Sequence, residues 1–514
     1  MSVMTHFFPP PASMGTGREK AVTWRFFWPV LLVGFALRLV FAQWADLPLH
    51  PDETYQYHEQ AYRLVHGYGL IPWEYVFGIR SWLIPLCLAG LLVVADALGL
   101  DQPHEYAFFL KTVLCLISLS LPIAMYRLTQ VLWNEQAAIL SLLLGCFWHH
   151  FLYVAHKPMP GILAMYGLLW LVLWMVRPQT RARMFAFGLM LGLVFALRYQ
   201  LVPVLGLLWL IALYRLRGGA LGLMLLGNAL ALMLAGMLDW VFWGGFLSSF
   251  IDNFRLNFLY DIASNFGEQE VLFYAKRLIL ESGGLFAIGL IGVALLWGRI
   301  WPVAVAMAIG VLAFHIPAHK ELRFVLWIMP LALIGGAVLA SWPGLRGVRG
   351  SVAAPVLLCL WAGVVTVGFS ARYLGVVPWQ TPLRDGAAVM HALGRTPDVT
   401  GVAFQTPSLP WWHTPGYYAL GKPVPLYLWG WDPDLAEATQ WARSSHIVTE
   451  AGGAAPDGYS QISRHGTFTL WQSETPKDAV GLEGFPLKTP LYPAPIPSDY
   501  QTIGQRTPLM LEGW

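Results

Sequence analysis

The 514-residue chain reads as a polytopic α-helical membrane protein, with surface helices in its first outer loop and a small C-terminal extracytoplasmic α/β domain. Three observations predict this. Hydrophobic residues make up 57% and charged residues only 12%, about half the charge expected of a soluble protein. Apolar runs of about 15 to 22 residues recur, broken by short basic or polar loops. Beyond Ser370 the composition turns globular. The net charge of +3 is too small to imply a nucleic-acid partner; the partner these runs imply is the lipid bilayer.

The first span covers about Phe26 to Phe41 behind Arg18, Lys20 and Arg25, which puts residues 1–25 in the cytoplasm and the following loop, about 43–105, outside. The N-terminus lacks a signal peptide's cleavage pattern, so this span is expected to be retained. Within the loop, Glu53 to His66 predicts an amphipathic surface helix ended by Gly67-Tyr68-Gly69, with His58 and His66 on its polar face. Ser81 to Leu100 is long enough to cross. If it did, however, the basic loops at Arg177/Arg181/Arg183, Arg215/Arg217 and Arg346/Arg349 would all fall outside, so it is expected to lie in the interface.

Further spans follow at Ala107–Leu128, Ala137–Ala155, Gly161–Val176, Met184–Leu197, Leu201–Leu213, Ala220–Leu238, Gly283–Trp297, Trp301–Ile316, Phe324–Ser341 and Val352–Ser370, about 11 in all with the first. A membrane domain over 26–371 then carries a second long outer loop at about 239–282, and residues 372–514 form the extracytoplasmic domain. In that domain Ser445–Thr449 and Gly466–Trp471 read as strands, Trp411-Trp412-His413 and Leu426–Trp431 as aromatic clusters, and the proline-rich end as a surface wrap. The four cysteines lie in apolar runs without ligand spacing and read as small core residues. No sequon occurs, which leans toward a bacterial envelope.

The charges that break the inside bias mark the chemistry. Arg80, Lys157, Arg198, Lys320 and Arg323 stand at outer ends of apolar segments, where an ionisable group is costly unless used, and an anionic headgroup is the natural use. Asp52 and Glu53 follow the first span, behind His50 and Pro51; His319, Lys320, Glu321 and Arg323 precede a later one. A phosphate held by Lys320 and Arg323 is a stabilised leaving group, and Asp52 can accept the proton of an attacking hydroxyl. Together they describe group transfer from a lipid phosphate to an alcohol, the group most commonly being a sugar. Bland roles stand beside these: Asp52 as a helix cap, Lys320 and Arg323 snorkelling, Trp73-Glu74 as an interfacial anchor, Lys157 beside a helix end, Arg198 paired with Asp239 or a carbonyl, and Asp239 as a cap. A flippase is the rival of another class, but it predicts repeat symmetry that the sequence lacks.

His50-Pro51-Asp52-Glu53, then Gly67-Tyr68-Gly69, Trp73-Glu74, Gly78 and Arg80-Ser81, resemble the first luminal loop of the dolichyl- or polyprenyl-phosphate-mannose-dependent mannosyltransferases, the group of the GPI and ALG-type enzymes. His319-Lys320-Glu321-Leu322-Arg323-Phe324 is similar to that family's His-Lys-Glu-x-Arg-Phe signature. Asp239-Trp240-Val241-Phe242-Trp243-Gly244 with Asn257-Phe258 resembles its next loop, and His413-Thr414-Pro415-Gly416-Tyr417-Tyr418 its tail motif with an extra glycine. The resemblance implies a GT-C fold and an inverting transfer of mannose from a polyprenyl-phosphate donor to a lipid-linked glycan or glycolipid, with no cofactor and no metal. It implies Asp52, assisted by Glu53, as catalytic base, and Lys320, Arg323, His319 and Arg80 as holders of the donor phosphate. His50, Trp73, Glu74, Lys157, Arg198, Asp239 and Glu321 complete the expected substrate site. The same machinery with arabinose, glucose or galactose is the nearest alternative.

Overall fold

The computed structural model describes residues 17–44, 50–343, 353–374, 381–409, 414–428, 443–453, 457–479 and 481–482. The chain divides into two compact units: Met1–Ala42, Thr112–Trp240 and Gly245–Ala371 form the first, and Gln43–Lys111, Val241–Gly244 and Arg372–Trp514 the second. The Trp411-Trp412-His413 cluster, the end of the Leu426–Trp431 cluster, Arg346/Arg349 and the proline-rich terminus lie outside the described residues.

Over their described residues the apolar runs named above are built of helix, broken in places by a turn. Among the described residues, five helical segments are long and apolar enough to cross a bilayer: Arg25–Gln43, Pro103–Leu132, Gly218–Trp243, Trp297–Phe314 and Ala353–Ser370. Phe273–Glu281 and Leu285–Leu295 would make a sixth as one broken span bent by 98°. Shorter apolar helices include Glu135–Phe147, Pro160–Val176 and Tyr199–Arg215. Their starts follow local chemistry. The Asn134 side chain accepts from the Ala137 N–H at 2.9 Å, and Pro160 and Pro330 occupy first-turn positions where a missing N–H forfeits nothing. The run expected to begin at Phe324 starts with two 3₁₀ turns and becomes regular helix only at Met329. Leu285–Leu295 packs closely on Met329–Ala340, because a side chain at Gly289 or Gly292 would overlap the carbonyl of Ala332 or Gly335.

The second unit combines the first loop with the tail. Pro51 to His66 is continuously helical but contains a π-turn over Glu53–His58, and Gly67 closes it in the left-handed region at φ 87°. Leu83–Ala97 is a 15-residue helix. The tail supplies five strands: β1 (Val402–Gln405), β2 (Leu426–Tyr427), β3 (His446–Glu450), β4 (Tyr459–His465) and β5 (Phe468–Ser473). They form one mixed sheet in the order β2-β1-β3-β5-β4, parallel across β2, β1 and β3 and antiparallel thereafter. Central β1 is buried along its length, whereas β4 is a mostly exposed edge.

Two expectations are corrected. The helix over Glu53–His66 shows no solvated polar face: Glu53, Gln56, His58, Glu59, Gln60 and Arg63 are all buried. Residues 414–418 of the tail cover it, with His58 stacked on Tyr418 at 4.6 Å. The cysteines are not all core either. Cys115 and Cys146 are buried and Cys359 is partly so, but Cys87 is exposed, because Leu83–Ala97 turns Leu88, Leu92 and Ala95 inward.

Candidate active site

Asp52 sits at the start of the π-turn in helical geometry (φ −52°, ψ −35°), and its carboxylate makes no capping hydrogen bond, so the bland role as a cap is not the one it plays. His50 Nδ1 lies 3.0 Å from its Oδ1. The Asp52 side chain keeps 22% of its surface exposed, whereas neighbouring Glu53 is buried. A carboxylate reached by solvent and flanked by an imidazole is placed to accept a proton.

Glu74 lies in the first turn of the short helix Trp73–Val76 behind Pro72. Its Oε1 accepts from Gln56 Nε2 at 2.6 Å and lies 3.7 Å from Arg80 Nη2. Burial pushes the Glu74 carboxyl up to about 7; Arg80 opposes that rise and the charge of Asp52 adds to it. Arg80 is itself anchored by its carbonyl, which accepts from Trp243 Nε1 at 2.9 Å. Gly78 turns the chain there at φ 65°, with the Trp243 ring packed on it. Thus His50, Asp52, Glu74 and Arg80 form one electrostatic group in the second unit. Trp73 is buried beside it, in contact with Phe77.

In the first unit, Glu321 organises the second motif. Its carboxylate receives Arg323 in a fork, Nε to Oε2 at 2.6 Å and Nη2 to Oε1 at 2.8 Å, and His319 Nε2 at 3.0 Å. That bond to Glu321 holds the His319 imidazolium above its usual range, aided by the Gly267 carbonyl and opposed by burial. Lys320 Nζ reaches the carbonyls of Gln269 (3.2 Å) and Ala318 (3.4 Å). The guanidinium of Arg198 stacks 4.8 Å over the Phe324 ring, and that of Arg323 lies 5.3 Å from it. Gly161 packs beside both arginines, close to Arg198 Cδ and the Arg323 carbonyl. Lys157 is buried over the Tyr153 ring. Asp239 serves the backbone instead of the cations: its Oδ2 accepts the N–H and the hydroxyl of Ser249 at 2.9 and 2.7 Å.

Sequence reasoning passes over several residues that hold these groups. Glu59 and Gln56 sit on the buried face of the first-loop helix. Glu281 receives His150 at 3.1 Å and also Arg277. Arg38, fully buried in the first span, donates to Ser118 Oγ and to the carbonyls of Gly34, Gly145 and Cys146, each at 2.9 Å. A charge inside an apolar run was the available signal for Arg38. None existed for Glu59, whose tail partners lie more than 350 residues away.

Among solved structures the fold matches ArnT from Cupriavidus metallidurans bound to undecaprenyl phosphate, at a TM-score of 0.56 and 14% identity over 88% of this chain and 98% of that one. The fold is therefore GT-C. The chain belongs to the Alg9-like mannosyltransferase family, whose sequence model matches residues 28–420. GPI mannosyltransferase 3 of Yarrowia lipolytica is 24% identical over 420 residues, covering 79% of this chain and 78% of its own length. Mannosyltransferase APTG1 of Arabidopsis thaliana is 26% identical over 323 residues, 59% of this chain and 57% of that one.

Proposed function

We propose that the protein transfers mannose from a polyprenyl-phosphate donor to a hydroxyl of a lipid-linked glycan or glycolipid at the outer face of a bacterial cytoplasmic membrane. Asp52 takes the acceptor proton as the hydroxyl oxygen attacks the anomeric carbon. The bond from that carbon to phosphate breaks with its electron pair leaving on the phosphate, so the configuration inverts. Lys320, Arg323, His319 and Arg80 receive the departing anion, and Glu53 steadies the base. Lys157, Arg198, Asp239, Trp73, Glu74, His50 and Glu321 line or brace the substrate path. No metal or cofactor takes part, so activity persists in a chelator.

The observation that carries this reading is a partly exposed carboxylate beside an imidazole, in a chain of this mannosyltransferase family. The reading takes about 11 spans, with residues 1–25 inside, and the loops 43–105 and 239–282 and the domain 372–514 outside.

The test is Asp52→Asn, assayed with radiolabelled polyprenyl-phosphate mannose and membranes from a strain lacking the gene. Transfer is expected to fall on the order of 10³-fold with donor binding retained. Near-normal transfer would remove Asp52 as base. A panel of polyprenyl-phosphate sugars in the same assay reports the sugar, mannose being the one expected.

A further inference from the structure

Glu59 lies seven residues beyond Asp52 on the same helical stretch and is completely buried. Its carboxylate accepts three backbone N–H groups: Leu70 at 2.7 Å, and Tyr417 and Tyr418 at 2.9 Å each. Tyr417 and Tyr418 open a short helix, where N–H groups have no intrahelical acceptor, so the tail presents two donors to a carboxylate of the first loop. The extra glycine of the tail motif is what permits this approach. A Cβ on Gly416 would lie 2.5 Å from Glu59 Oε1.

A second grip sits one turn earlier, where the Tyr55 hydroxyl donates to the Thr414 carbonyl. Tyr55 and Glu59 thus hold residues 414–418 from within and just beyond the π-turn of Glu53–His58. The carbonyls of that turn are held too, Tyr55 by Gln60 Nε2 at 2.9 Å and Gln56 by the Tyr75 hydroxyl at 2.8 Å. A π-turn carries one residue more than an α-turn and is rarely stable without outside support. Its relaxation to α geometry would swing Asp52 by about 100° around the helix axis.

We propose that Glu59 is a positioning residue: by docking the tail segment 414–418 on the first loop it fixes the π-turn that aims Asp52, so the tail is part of the catalytic apparatus. This rests on the reading of Asp52 as base.

The test uses the full chain with radiolabelled polyprenyl-phosphate mannose and membranes from the strain lacking the gene. Rates are normalised to the protein that elutes folded in gel filtration. Glu59→Gln and Gly416→Ala are expected to lower kcat on the order of 100-fold, the scale of a misplaced catalytic group. Donor KM should stay within roughly twofold, because of the proposed donor contacts only Arg80 is linked to the π-turn, through Glu74 and Gln56. Tyr55→Phe, which deletes only a hydroxyl and keeps the ring, should lower kcat by roughly fivefold. The acid limb of the kcat/KM profile should also move in Glu59→Gln, since a re-aimed Asp52 changes its distance from His50 and Glu74. Loss of folded protein only scales that profile. If Asp52→Asn abolishes transfer while the Glu59, Gly416 and Tyr55 variants keep wild-type kcat and an unmoved acid limb, the positioning role is wrong and the base survives. If Asp52→Asn stays active, both fall.

Discussion

Arg38 and Arg323 are both cations of the first unit, and both stand in or beside apolar helices, yet they are held in opposite ways. Arg38 is fully buried, and its polar partners among the described residues are neutral: three carbonyls and a serine hydroxyl, each at 2.9 Å. Two of those carbonyls, Gly145 and Cys146, belong to the last turn of Glu135–Phe147, where helix carbonyls lack intrahelical donors. Arg323 keeps 13% of its side chain exposed, and its guanidinium forks onto a carboxylate, Glu321, exposed to 23%. A charge saturated by fixed dipoles is a staple between helices. A charge balanced by a reachable carboxylate can exchange that partner for another anion. The kind of partner, more than depth in the bilayer, is what sets the structural role of Arg38 apart from the substrate-handling role proposed for Arg323.

The largest effect that would break this comparison is expected at Arg38. Arg38→Ala leaves two helix-end carbonyls and Ser118 without their donor inside the bundle, a loss of about 3 kcal/mol or more. The expected outcome is little folded protein, read as aggregation in gel filtration and a collapsed Tm in detergent. If the variant folds normally but loses transfer, Arg38 handles substrate and the distinction fails. Arg323→Ala should do the reverse, lowering kcat/KM on the order of 100-fold while Tm hardly moves. A large fall in Tm with proportionate loss of rate would make Arg323 a second staple.

The contrast also marks what the sequence makes legible. Long apolar runs declare their helices, and Ser445–Thr449 and Gly466–Trp471 declare β3 and β5, because those signals are local periodicities. The two polar motifs stand out because charges flank apolar segments. What stays hidden is who pairs with whom. Arg38 meets Gly145 and Cys146 across more than 100 residues, and Glu59 meets Tyr417 and Tyr418 across more than 350. A polar helix reads as a solvated surface helix until something is known to cover it, which is why Glu53–His66 looks amphipathic and proves buried. The π-turn is equally silent, since nothing in Glu53–His58 distinguishes it from an α-turn.

Arg80 offers a third case, and the smallest effect: a cation whose carboxylate partner changes charge near neutrality. Glu74 is raised to about 7 from an ordinary 4.5. Between those values the folded chain keeps a proton that the unfolded chain has released, so the stability contributed by neutral Glu74 is full below 4.5 and lost as pH rises through about 7. Between pH 5 and 8, Tm should therefore fall more in the wild type than in Glu74→Gln, by about 3 °C. Function should follow the same titration. Ionised Glu74 draws Arg80 toward itself, so donor KM should rise about twofold above neutrality in the wild type and stay level in Glu74→Gln, whose amide oxygen still accepts from Gln56. Parallel pH dependence of donor KM in the two proteins would show that Arg80 does not share its charge with the donor phosphate, and would move it to the side of Arg38.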